Sequence, residues 1–175
     1  MLAGLPYDAL DPELVDGRRA ARALTQELNR ELDEPRRMER LAGAFGGFGE
    51  GSFVEVPIFF DYGCNIYLGR DCFINANAVI LDPARIELGD RVQVASGVQL
   101  LAADHPREAT RRAAGEELAR PVMVGDDVWI GAGAILCPGV EVGAGSIIAA
   151  GSVVAGDVPA GVMAAGVPCR VVREL

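Results

Sequence analysis

VGDDVW (124–129), IGAGAI (130–135), LCPGVE (136–141), VGAGSI (142–147), IAAGSV (148–153) and VAGDVP (154–159) follow one another without a gap. Each block of six opens with an aliphatic residue. Its second position is Gly or Ala except at Cys137, and its fifth is Val, Ala or Ser. A fixed short period sets a short strand and then a turn, over and over. Such a chain buries its apolar side only by stacking each coil on the next, which predicts a parallel β-solenoid. The first residue of each block is expected to point inward, and the small fifth residue to let neighbouring coils approach. Gly and Asn or Asp serve the corners, where left-handed backbone angles are needed. The period alone sets neither handedness nor chemistry.

Working outward, the same register precedes this stretch. YGCNIY (62–67), LGRDCF (68–73), INANAV (74–79) and ILDPAR (80–85) lead to a two-residue slip at Ile86-Glu87. LGDRVQ (88–93) and VASGVQ (94–99) then resume it. The slip reads as a bulge or a wider corner. Between Leu100 and Val124 the period is lost, in a polar segment carrying two prolines. A long insertion in a repeat array maps to a loop on one face, often the binding face. Phe53, Val54, Val56 and Ile58 to Phe60 read as a strand-like opening run, and CRVV (169–172) as a closing strand. Ahead of them, residues 1–10 read as an arm. Asp11-Pro12 opens a helix expected over about 12–32, with Leu14, Ala21, Leu24, Leu28 and Leu32 on its apolar side. Glu34-Pro35 opens a second, with Met38, Leu41, Ala42 and Phe45, and GGFGEG (46–51) ends it. The expected organisation is therefore a helical segment over 1–51 and a mainly β solenoid over 52–175 with an extruded loop at 101–123.

Composition narrows the function. The 175 residues are half apolar, include 22 glycines and carry a net charge of −9. An acidic chain argues against a nucleic-acid partner, which needs a basic face to displace counterions. No run approaches a membrane helix, and the first residues lack the basic and apolar regions of a secretory signal, so a cytoplasmic protein without a membrane partner is expected. Cys64, Cys72, Cys137 and Cys169 are scattered with no CxxC pair, so they read as buried free thiols and no metal site is expected.

Several stretches together resemble the maltose and galactoside O-acetyltransferases, hexapeptide acyltransferases that include nodulation-type enzymes. They are FFDYGCNIYLG (59–69), INANAVILD (74–82), DHP (104–106), VGDDVWIGAGAILCPGVEVG (124–143), AAGSVV (149–154) and AAGVPCRVVREL (164–175). The AGLPYDALDPEL arm (3–14) shares the likeness, so it spans essentially the whole chain. The hexads are common to many acyltransferases, whereas DYGxNI, DHP, VWIG and GVPCRV in this order are far more specific. The resemblance implies a left-handed parallel β-helix with triangular coils, and a homotrimer with active sites in clefts between subunits. It also implies acetyl transfer from acetyl-CoA to a sugar hydroxyl.

His105 is the single histidine and stands at the start of the extruded loop. Imidazole suits removal of a proton from a hydroxyl attacking a thioester. A lone loop histidine is otherwise a solvated bystander, and it is the match to the family's DHP that makes His105 the candidate general base in direct transfer. No nucleophile is needed, and neither Cys137 nor Cys169 has a paired His nearby in sequence. For the acceptor, the resemblance points to Asp8, Arg18, Asp61, Asn75 and Glu117. Asp82 is a candidate to orient His105 or to hold a corner. Each has a plainer reading: Asn75 as a corner residue, Asp8 and Arg18 as surface charges. For CoA it points to Trp129, Ala132, Ala150, Ala155, Gly156, Arg170 and Arg173. Small residues let backbone approach the pantetheine arm, and an N–H near Ala132 can meet the developing oxyanion. Arginine forks suit phosphates. Plainer readings are coil packing for Trp129 and ordinary surface charge for the arginines.

Two departures stand out. Phe73 replaces a tyrosine of some sugar-binding relatives. Val154-Ala155-Gly156-Asp157-Val158-Pro159 lacks the Thr-Lys that usually precedes Asp-Ile-Pro, which predicts weaker electrostatic capture of CoA or compensation by Arg170 and Arg173. Two other readings stay open: an acyltransferase for a non-sugar acceptor, and a trimeric solenoid scaffold without activity. A solenoid carbonic anhydrase is excluded, because its zinc needs three histidines.

Overall fold

The computed structural model describes all 175 residues. The hexads fold as expected into stacked coils, and the chain visits three parallel sheets in turn. The first face holds Gly47–Phe48, Ile66–Leu68, Ile86–Leu88, Val122–Val124 and Glu141–Val142. The second holds Phe53–Val54, Phe73–Ile74, Gln93–Val94, Trp129–Ile130, Ile147–Ile148 and Val162–Ala165, edged by antiparallel Arg170–Glu174. The third holds Ile58–Phe60, Ala78–Leu81, Gln99–Leu101, Ile135–Leu136 and Val153–Val154. Each corner below is named for the face that precedes it.

The first residues of the six hexads, Val124, Ile130, Leu136, Val142, Ile148 and Val154, are all buried, and so are the fifth residues. Each such aliphatic side chain contributes up to about 1.5–3 kcal/mol on burial. The second position proves the tighter one. A Cβ on Gly125, Gly131 or Gly143 would lie 2.7, 2.5 or 2.3 Å from the backbone nitrogen of the next coil. Coils at ordinary sheet spacing leave no room there for a side chain.

Pairing partners are twenty residues apart in the first coils (Ile58 with Ala78, Ile66 with Ile86). They are eighteen apart in the later ones (Trp129 with Ile147, Ile135 with Val153). The ladder through Ile86 and Leu88 is unbroken, so the sequence slip is a wider third corner, not a bulge. The opening run divides into two strands on different faces, Phe53–Val54 and Ile58–Phe60, turning at Val56-Pro57.

Helix α1 spans Pro12–Leu28, with the Asp11 carboxylate accepting the Glu13 N–H at 2.9 Å. It stops four residues short of the expected end. The Asn29 amide instead donates to the Ile58 carbonyl at 3.0 Å and accepts the Ile58 N–H at 2.9 Å, which pins the chain to the third face. Leu32 lies beyond the helix and is 95% exposed. Helix α2 spans Glu34–Ala44, and Leu28, Leu41 and Phe45 join the core where the solenoid begins. The loop leaves the third corner as Ala103–Asp104, passes the short helix α3 (Ala109–Ala113), and returns antiparallel as Glu116–Ala119. The arm strand Tyr7–Asp8 pairs with its other edge. Cys72 and Cys169 are buried as expected, Cys137 is half-buried, and Cys64 is exposed. No helix is long and apolar enough to cross a membrane.

Candidate active site

The three widest excursions of the chain share one edge. Asp61–Asn65, Asp82–Arg85 and the loop all leave the third face at its corner. Beneath them lies Asp82, fully buried. Its carboxylate accepts backbone N–H groups from Asp61 at 3.1 Å, Tyr62 at 2.8 Å and Asn65 at 3.3 Å. Burial pushes its pKa up to about 6, although the Tyr62 and Asn65 N–H donors pull the other way. Asp82 thus holds a corner and has no hydrogen bond to His105.

Above this floor a cavity of about 340 Å³ is lined by Tyr7, Arg18, Asp61, Tyr62, His105 and Glu117, among others. The Tyr7 hydroxyl donates to Glu117 Oε2 at 2.9 Å. Burial, then the Glu117 carboxylate, raise the Tyr7 pKa, so the phenol stays a donor. Arg18 donates to the Tyr62 hydroxyl at 2.6 Å and to the Ala9 carbonyl, tying helix α1 to both the corner and the arm. Burial raises the Asp61 carboxyl, against the pull of Arg18 and Arg22. His105 is exposed at the mouth. Its backbone N–H donates to Asp104 Oδ1 at 2.8 Å, and Arg120 donates to Asp104 Oδ2 at 2.8 Å. Burial pushes Asp104 up, but the His105 N–H and the two arginines outweigh it and hold the carboxyl below its usual range. The residue before the histidine is therefore a charged clamp on the loop.

Of the acceptor candidates, Arg18, Asp61 and Glu117 meet His105 in this cavity. Asp8 does not. It follows Tyr7 on one strand, so the two side chains point to opposite sides. The Asp8 carboxylate accepts the Leu10 N–H at 2.8 Å and faces a neighbouring cavity. Asn75 lies elsewhere, in a cavity of about 160 Å³ with Phe73 and Trp129. The outward row Phe73, Gln93, Trp129, Ile147 and Met163 runs down the second face. Ala132 and Ala150 stack at the second corner, with the Gly151 N–H donating to the Ala132 carbonyl at 2.9 Å. Arg173 pairs opposite Met163 and Arg170 opposite Ala165, both exposed at the end of that row. Ala155 and Gly156 turn the third corner, further along the stack from the loop. Tyr7, Arg22 and Asp104 line or brace the site without having been singled out. Only tertiary pairing of the arm, helix α1 and the loop brings them there.

Family models match over most of the chain. The maltose acetyltransferase hexapeptide capping motif covers residues 1–49, the hexapeptide repeat of succinyl-transferase 65–102, and the bacterial transferase hexapeptide 121–156. A maltose O-acetyltransferase from Clostridium difficile 630 superposes with a TM-score of 0.97 at 41% identity, over 99% of this chain and 94% of that one. The chain belongs to the maltose and galactoside O-acetyltransferase family. A hexapeptide-repeat acetyltransferase from Vibrio cholerae, solved with acetyl coenzyme A, superposes at 0.94 with 38% identity, over 100% of this chain and 96% of that one. Galactoside O-acetyltransferase of Escherichia coli is 44% identical over 131 residues, 75% of this chain and 64% of that protein. The member described here is accordingly an acyltransferase on a left-handed parallel β-helix. No group of three or more His, Cys, Asp or Glu side chains is placed to hold a metal ion.

Proposed function

We propose that this acyltransferase moves the acetyl group of acetyl-CoA to a hydroxyl of a sugar, with His105 as general base, in a site made between two copies of the chain. The observation that carries this reading is the division of the candidate residues. His105, Arg18, Asp61 and Glu117 share a cavity on the third corner, while Asn75 and Trp129 share one on the second face. One chain therefore offers two half-sites on different sides of a prism. A closed three-fold ring sets the third corner of each copy against the second face of the next. The outward rows suit that assembly: Phe73, Ile147 and Met163 on the second face and Phe59, Val79, Ile135 and Val153 on the third, against Tyr67, Glu87, Met123 and Glu141 on the first.

In the joined cleft, residues 1–51 cap the acceptor side. Asp61, Glu117 and Arg18 orient hydroxyls by hydrogen bonds, and Asn75 arrives from the neighbouring copy. His105 takes the proton of the attacking hydroxyl. The new C–O bond forms at the thioester carbonyl, an N–H at the Ala132 corner meets the oxyanion, and the C–S bond breaks. The imidazolium returns its proton to the CoA thiolate. Trp129, Ala132, Ala150, Ala155 and Gly156 line the pantetheine path, and Arg170 and Arg173 meet the phosphates in place of the missing lysine.

The test is His105→Ala, assayed by loss of the thioester absorbance across a sugar panel. Transfer should fall by about 10²–10⁴-fold while acetyl-CoA still raises thermal stability. Unchanged transfer would remove His105 from the mechanism, and no stabilisation of the wild type at saturating acetyl-CoA would point to a scaffold.

A further inference from the structure

His105 is carried by a segment with little core beneath it. Residues 107–114 are all exposed, and α3 buries none of its side chains. A base must come within about 2.6–3.2 Å of the proton it takes. That reach requires a side chain held to about 0.5 Å by packing and hydrogen bonds around it. The two strands of the loop supply only part of the hold. Their pairing sets Ala103 opposite Ala119 and Asp104 opposite Leu118, and it stops there, one residue short of His105.

Side chains close what the ladder leaves open. The His105 N–H donates to Asp104 Oδ1 at 2.8 Å, and Asp104 Oδ2 accepts from Arg120 at 2.8 Å. Arg107 also reaches Asp104, at 3.3 and 3.5 Å, but its side chain is 83% exposed and it belongs to the loop itself. Arg120 belongs to the solenoid. Its backbone N–H donates to the Ala102 carbonyl at 2.9 Å, at the foot of the loop. Its side chain lies across the corner of the next coil, over Gly139. A Cβ there would stand 3.2 Å from Arg120 Nη1 and 3.3 Å from its Cβ and Cδ. Gly139 has φ +84°, a backbone angle that disfavours any side chain, so the bare corner is left as a seat for the arginine stem. A path of contacts therefore runs from the solenoid through Arg120 and Asp104 to the backbone of His105.

We propose that Arg120 is a positioning residue: seated on Gly139, it fixes Asp104 and through it the aim of His105 during acyl transfer. This rests on the reading of His105 as general base and adds to it the group that holds the base in place. Arg120 does not line the cavity that holds His105, so its loss acts on turnover and not on acceptor binding.

The experiment measures kcat and KM with whichever sugar of the panel is turned over fastest. Arg120→Met keeps the stem over Gly139 and removes only the charge. Its kcat should fall by about 10- to 100-fold, the cost of a misplacement on the order of 1 Å. KM for acetyl-CoA and for the sugar should stay within about twofold, and acetyl-CoA should still raise thermal stability. Arg120→Lys, a point charge that still reaches Asp104, should recover most of the loss. Arg107→Ala should cost no more than about threefold, because an exposed, loosely aligned pair is worth little. A double variant separates positioning from a general structural role. With His105→Ala already in place, adding Arg120→Met should lower the residual transfer by less than about twofold, since groups that act as a unit are not additive. A kcat unmoved by Arg120→Met, or a loss as large with His105→Ala present as without it, overturns the positioning role and leaves His105 as the base. Transfer unchanged by His105→Ala alone overturns both.

Discussion

The second and third corners of the helix are built from the same repeat, yet they have different fates. At the second corner the chain turns tightly, with small residues such as Ala132 and Ala150 stacked coil on coil. At the third corner it widens by two residues per coil in the early turns and then runs out into the loop. The widening admits Asp82, a fully buried carboxylate that a tight corner has no space or donors for. Regular corners make a surface along which an extended ligand can lie, and irregular corners make concave cavities with converging polar groups. The proposed chemistry needs one of each.

The sharpest way to break this contrast is to remove the polar floor of the wide corner. Asp82→Ala leaves three backbone N–H groups without acceptors and should cost about 3–5 kcal/mol of stability. Chemical denaturation measures it, and a loss under about 1 kcal/mol would mean that the corner holds itself.

A second prediction turns on pH. Folded Asp82 keeps its proton up to about pH 6, whereas an unfolded Asp loses it near 3.8. The folded state therefore binds more protons between those values, and stability falls as pH rises through that window. The stabilisation is fully present below about pH 4, is gone above pH 6, and amounts to roughly 3 kcal/mol. Subtracting the Asp82→Asn profile from the wild type isolates it. A flat difference from pH 4 to 7 would show that burial does not govern this carboxylate.

The regular part of the repeat should respond to size instead. Gly143→Ala drives a Cβ to within 2.3 Å of the Ala160 nitrogen and should cost about 1–3 kcal/mol. Gly156→Ala, with nothing within 4 Å, should change thermal stability by less than about 0.5 kcal/mol. Equal costs at the two sites would contradict the account of coil spacing. Smallest of all, Arg170→Ala or Arg173→Ala should raise the KM for acetyl-CoA by about 3- to 10-fold, an effect that shrinks with added salt. KM values insensitive to salt and to both changes would remove the arginines from the phosphate site.

The solenoid was legible because its period is physical: an aliphatic residue every sixth position has only the interior to go to. The cap was nearly as clear, since Asp11-Pro12 and Glu34-Pro35 are local signals that need nothing distant. The end of α1 was not, because Asn29 is drawn off by the Ile58 backbone, a partner 29 residues away. His105, Arg18, Asp61 and Glu117 reached the site through family likeness, and the structure does place them round one cavity. Which side of the arm strand Tyr7 and Asp8 each take is not legible in the sequence, because a strand's two sides cannot be told apart until the arm is paired to the loop. No pattern in the sequence could show that Asn75 and Trp129 lie away from His105. That follows only once the faces are counted.

That separation is the centre of the account, and co-expression of two disabled chains tests it most directly. One chain carries His105→Ala at the third corner; the other carries Trp129→Asp with Arg173→Glu on the second face. In the proposed homotrimer each alone should be inactive. In randomly mixed trimers a site joining one copy's intact third corner to the next copy's intact second face arises about a quarter of the time. Co-expression should therefore recover about a quarter of wild-type transfer activity. No recovery in verified mixed trimers would mean that both halves of each site come from one chain.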